Sequence, residues 1–108
     1  MQQEITNAIA ALESNLNTVH AENWPTLPYT YKVSVETGKV YARIVLGEIW
    51  KDSNEETSRR VYGFIKLDDL TLWKAAGWKA PAKNKARGVL ADLTNIDIIR
   101  RRWDISIS

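Results

Sequence analysis

The sequence predicts an α+β fold in which an N-terminal amphipathic helix packs on a curved antiparallel sheet of about four strands. Two observations carry that prediction. Apolar residues recur at helical spacing up to Trp24-Pro25, and from Tyr29 the period changes to two. The alternating runs that follow are joined by two tight connections and one longer loop, which is the pattern of an antiparallel meander.

In the helical segment Ile5, Ile9, Leu12, Leu16 and Val19 recur at spacings of four and three between polar residues, a stripe suited to packing on a sheet. Tyr29, Tyr31, Val33 and Val35 then alternate with Thr30, Lys32, Ser34 and Glu36, and Thr37-Gly38-Lys39 supplies a turn. Val40 to Trp50 continues as a second strand, Lys51 to Ser58 forms a polar acidic loop, and Arg59 to Leu67 is a third strand. Asp68-Asp69 makes the next turn, and Leu70 to Ala75 is expected as a fourth strand. Gly77, Pro81 and Gly88 punctuate a basic loop, with a short helical turn around Val89 to Leu93. The chain is expected to end in a short C-terminal helix followed by an edge strand.

Strict alternation assigns the two faces. Val40, Ala42, Ile44, Leu46, Val61, Gly63, Ile65, Leu67, Leu70 and Leu72 form one apolar set for the helix to cover. Tyr41, Arg43, Arg60, Tyr62, Phe64, Lys66 and Trp73 fall on the other. Aromatic rings interleaved with cations on an open sheet suit stacking on unpaired bases and pairing with phosphates. The same rings could instead be covered by the C-terminal segment, which carries Trp103.

At 108 residues the chain has the length of one ordinary domain, residues 1–108. It has no Cys, which excludes disulfides and thiolate metal sites and points to a reducing compartment, the cytoplasm. No apolar run approaches the roughly 20 residues that span a bilayer, and MQQEITNAIAALE lacks a basic n-region, so no membrane association is expected. His20, the single histidine, sits at the helix end where the dipole favours it, and no triad is available. The adjacent pairs Glu55-Glu56 and Asp68-Asp69 read as solvated loop and turn rather than ligands. No phosphate-cradling glycine pattern occurs. Neither enzyme activity, metal nor cofactor is expected.

Net charge is only +2, but its distribution is uneven. Residues 71–91 hold five bases, Lys74, Lys79, Lys83, Lys85 and Arg87, and no acid. Such a block points to a polyanionic partner, because counterion release acts where cations line up with phosphates. Trp73 and Trp78 add rings, and Arg87 adds a fork for phosphate. The competing reading for each tryptophan is packing, and for the lysines a solubilising face; for Arg100 to Arg102, pairing with Asp97 and Asp104 competes with phosphate.

Phe64-Ile65, the run Trp73-Lys74-Ala75-Ala76-Gly77-Trp78-Lys79-Ala80-Pro81-Ala82-Lys83, and Ala86-Arg87-Gly88 resemble a signature of small bacteriophage-encoded proteins. The resemblance covers roughly Tyr62 to Leu90 and implies mainly a phage or phage-like origin; it is not tied to one biochemical role, and nucleic-acid binding is the role expected from it. This chain departs from the pattern at Asp68 to Leu72, where a glycine-containing turn is expected. The expected function is non-catalytic, sequence-tolerant binding of single-stranded nucleic acid through Arg43, Arg60, Tyr62, Phe64, Trp73, Lys74, Trp78, Lys79, Lys83, Lys85 and Arg87. The alternative is a phage-type protein that binds a host protein. A homodimer is compatible with either, and for a phage product the compartment is the host cytoplasm.

Overall fold

The computed structural model describes residues 2–108. Helix α1 spans Gln2–Asn23, followed by strands β1 (Tyr29–Thr37), β2 (Tyr41–Trp50), β3 (Glu56–Lys66), β4 (Thr71–Trp73) and β5 (Gly88–Val89). A 3-10 turn at Leu90–Thr94 and helix α2 (Ile96–Arg101) complete the chain. The sheet is antiparallel throughout, in the order β1-β2-β3-β4-β5. The α+β architecture is the one the periodicity predicts; the two-residue β5 adds a fifth strand, and no strand follows α2.

The stripe of α1 is buried as its spacing requires: Ile5, Ala8, Ile9, Leu12, Leu16 and Val19 join Val33, Ala42, Ile44, Leu46, Ile65 and Leu72 in one core. A second, polar row of the same helix holds the sheet edge. Asn17 Oδ1 accepts from Tyr31 N–H at 2.7 Å, Asn17 Nδ2 donates to Tyr31 O at 3.0 Å, Glu13 Oε1 accepts from Val33 N–H at 2.8 Å, and His20 Nε2 reaches Tyr29 O at 3.1 Å. Residues 13, 17 and 20 follow one helical face, so they meet alternate residues of β1 and occupy backbone groups that an incoming strand would use. His20 is thus a buried structural residue, ringed by Trp24, Tyr29 and Tyr31.

Two irregularities in β3 correct the facial assignment. Ile44 pairs with Gly63 but Val45 pairs with Val61, so Tyr62 is an extra residue, and the register shifts again between Leu46 and Glu48. A bulge of this kind ends strict alternation. Tyr62 therefore turns into the core, fully buried, where its hydroxyl donates to Trp103 O. Val61, expected under the helix, pairs with Val45 on the opposite face. Arg60 moves the other way: it lies across from Leu46, on the helix side, and pairs with Glu48 at 3.8 Å. Val40 is excluded from both sets, 56 % exposed before the start of β2.

The C-terminal segment closes the core. Trp103, Ile99 and Ile107 are buried, and Ile107 N–H donates to Tyr62 O at 2.8 Å. Gly63 makes room for this: a Cβ there would stand 2.5 Å from Ile107 Cδ1 and 2.9 Å from Trp73 O. The turn before β4 is tight. Leu70 adopts φ 58 at the place where a glycine was expected, a conformation that L residues occupy at a cost. Offsetting interactions surround it: Leu70 N–H donates to Lys66 O at 2.8 Å, its side chain packs on the core, and Asp69 Oδ1 accepts from the amide and hydroxyl of Thr71 at 3.1 and 2.7 Å. The Thr71 hydroxyl and amide hold the Asp69 carboxyl below its ordinary value.

Candidate functional site

The open face of the sheet is aromatic at its centre. Arg43 pairs with Phe64 and Phe64 with Trp73 across the ladder, so these three share a face with Tyr41. Tyr41 meets Phe64 and Trp73 edge-on, with ring centroids 6.2 and 6.3 Å apart. Trp73 is half-buried, its Nε1 donating to Thr71 Oγ1 at 2.9 Å, while Phe64 is only 3 % exposed and so presents no free ring surface for a base.

Beyond β4 the chain folds back on itself. Ala82 N–H donates to Lys74 O at 2.7 Å, Ala75 pairs with Pro81, and Ala76 N–H donates to Ala80 O at 3.1 Å. The expected continuation of β4 to Ala75 is replaced by this small hairpin, whose tip carries Trp78 and Lys79. The tip rests on the sheet through Arg43: its Nε donates to Trp78 O at 2.7 Å and its guanidinium lies 5.0 Å from the Trp78 ring centre. Trp78 remains 43 % exposed. Between the tip and the β1–β2 turn lies a cleft of about 380 Å³ bordered by Glu36, Tyr41, Arg43, Phe64 and Lys79.

Charge divides this region into two parts. Glu36 Oε1 takes Arg43 at 2.5 Å and Glu36 Oε2 takes Arg59 at 3.5 Å, and the Arg43 hydrogen bond holds the Glu36 carboxyl below its ordinary value. Lys74, Lys79, Lys83, Lys85 and Arg87 make no ion pair among the described residues, and all four lysines are exposed. Arg87 is half-buried, with Nη2 donating to Asn84 Oδ1 at 3.3 Å.

Of the predicted site residues, Arg43, Phe64, Trp73, Lys74, Trp78 and Lys79 gather at the open face and its hairpin, and Lys83, Lys85 and Arg87 follow on the next loop. Tyr62 and Arg60 are excluded by the bulge. Glu36 and Arg59 were missed. The expected turn at Thr37-Gly38-Lys39 closes Glu36 against Val40, whereas the observed register pairs Thr37 with Ala42 and so brings Glu36 opposite Arg43, which the turn residues alone did not signal. At the C-terminal end Arg100 pairs with Glu22 at 2.9 Å and Asp97 at 3.4 Å, so Glu22 takes the place foreseen for Asp104. Among the described residues no group of three or more His, Asp or Glu gathers as a metal site, and no helix is long and apolar enough to cross a membrane.

The chain belongs to a family of unknown function, DUF7717, whose model matches residues 1–106. Comparison with curated proteins and with solved structures gives no match.

Proposed function

We propose that this protein binds single-stranded nucleic acid without reading its sequence and without catalysing a reaction, gripping the backbone with the cations of residues 74–87 and stacking bases on Trp78. One observation carries the reading: among the described residues the five cations of residues 74–87 have no carboxylate partner and no acid stands between them along the chain, whereas other unpaired cations, such as Lys32, Lys51 and Lys66, are scattered among acids. Unpaired exposed cations are free to displace the counterions of a phosphate chain at no cost in broken ion pairs. Trp78, held by Arg43 yet 43 % exposed, offers a positioned ring, and Tyr41 and Trp73 meet edge-on on the sheet face that carries Arg43. The resemblance of the Trp73–Gly88 segment to small phage-encoded proteins supports a phage setting and the host cytoplasm as the compartment.

Anisotropy of labelled oligo-dT and of a matching duplex at two salt concentrations tests this. Tighter single-strand binding that weakens steeply with salt is expected, and no binding to either at low salt overturns it. A host-protein contact is the second reading, favoured by the Glu36 carboxylate that neutralises Arg43 and Arg59 on the open face. An aromatic centre with a mixed-charge border suits a protein interface better than a phosphate track.

A further inference from the structure

We propose that Arg87, fixed by Asn84, is a dedicated phosphate-binding site, and that it takes one backbone phosphate of the bound strand, a step that rests on the nucleic-acid reading above. Arg87 differs from the lysines around it in how it is held. Its N–H donates to Leu72 O at 2.7 Å, which ties its backbone to β4. Its Nη2 donates to Asn84 Oδ1 at 3.3 Å, and the same oxygen accepts from Lys85 N–H at 2.9 Å, so the acceptor is itself positioned by the loop.

The charge on this side chain is uncompensated. Arg87 Nε is buried without a hydrogen-bond acceptor, and among the described residues no carboxylate ion-pairs with the guanidinium. Asp92, the nearest acid along the chain, accepts from Val89 N–H at 2.9 Å instead. A guanidinium does not deprotonate in proteins, so a full positive charge stands half-buried, desolvated along its Nε edge and lacking a counter-ion. Desolvation of one edge strengthens the attraction of an oxyanion to the terminal nitrogens, and the fixed fork meets two oxygens of a tetrahedral phosphate in parallel. Lys83 and Lys85, exposed on the same loop, add attraction without that geometry.

Titration of the whole chain with inorganic phosphate at constant ionic strength, read from the backbone amides of residues 84–88 by NMR, tests the site. The expected result is a saturable shift that acetate reproduces at least about ten-fold more weakly. Arg87→Lys keeps the charge and loses the fork, so it is expected to weaken phosphate binding about ten-fold, against about two-fold or less for Lys85→Ala. A linear, non-saturating drift, an equal response to acetate, or equal losses in the two variants overturns the site. A second arm uses labelled oligo-dT. Saturable phosphate binding without oligo-dT binding upholds the site and overturns the nucleic-acid reading. Oligo-dT binding that Arg87→Lys leaves unchanged upholds that reading and overturns the assignment of Arg87 to the strand.

Discussion

The two faces of the sheet arise from the same alternating strands but satisfy their polar groups in different ways. On the helix side Tyr62 finds Trp103 O, and Tyr31 and Val33 find Asn17 and Glu13, within a core that leaves Leu12, Ile44, Leu46 and Ile65 without exposed surface. On the open side the polar atoms are arginines shared with Glu36 and a hairpin carbonyl, and the next loop leaves its cations unpaired. The difference separates the source of stability from the place available for binding. The helix side pairs most of its polar groups internally, with His20 Nδ1 and Trp103 Nε1 the buried exceptions, and so has little accessible left to offer a partner, whereas unpaired cations beside a half-exposed ring do.

Breaking the helix-covered face should give the largest effect. Leu12→Ala is expected to lower unfolding free energy by about 2–5 kcal/mol in a denaturant titration, since Leu12 is wholly buried and the helix cannot close over the gap. A change near zero would mean that α1 does not rest on the sheet. Tyr62→Phe should cost about 1–3 kcal/mol, because it leaves Trp103 O buried without a donor. That phenol also has a pH signature. Burial, with the charge of Asp104 adding to it, pushes its ionisation well above the ordinary value of 10.0. The folded state therefore holds the proton more tightly than the unfolded chain, so the stabilisation is present below pH 10.0 and is lost as pH rises beyond it. Thermal melts from neutral to strongly alkaline pH should show a smaller alkaline loss in Tyr62→Phe than in wild type.

The helix stripe, the order of the main strands and the acid-free block at residues 71–91 were legible because each is a local pattern. The facial assignment of Tyr62, Arg60 and Val61 was not. An inserted residue in β3 has no marker in its own sequence: Arg59 to Lys66 alternates acceptably in either register, and the register is settled by Trp103 and Ile107, more than 40 positions further on. The fifth strand was invisible for a related reason, since Gly88-Val89 is too short to show a period and exists through its pairing with Thr71 and Leu72. Trp103 could be assigned to packing from its type alone, and it is 1 % exposed.

On the open face the expected effects fall on binding rather than on folding. Trp78→Ala should weaken oligo-dT binding about ten-fold, the loss of one stacked base, while shifting the denaturation midpoint little because the ring is 43 % exposed. The reverse outcome, intact binding with a large loss of stability, would make the hairpin tip a structural cover.

The smallest effects distinguish a paired cation from a free one. Lys79 borders the open-face cleft without an ion pair, so Lys79→Ala should reduce the slope of log affinity against log salt by about one phosphate contact. Arg43 borders the same cleft but is held by Glu36 at 2.5 Å, and a phosphate must first displace that carboxylate. Arg43→Ala should therefore change the slope by much less, although it also frees Trp78 O and the ring stacked against it. Glu36→Gln resolves the ambiguity, because it keeps the side-chain volume and frees Arg43 for the strand, while Arg59 keeps Glu56 at 3.5 Å. Affinity for oligo-dT at low salt should rise and the slope steepen by about one contact. If Glu36→Gln leaves both affinity and slope unchanged, the freed Arg43 does not contact the strand, and the open face is left for a protein partner rather than for a phosphate chain.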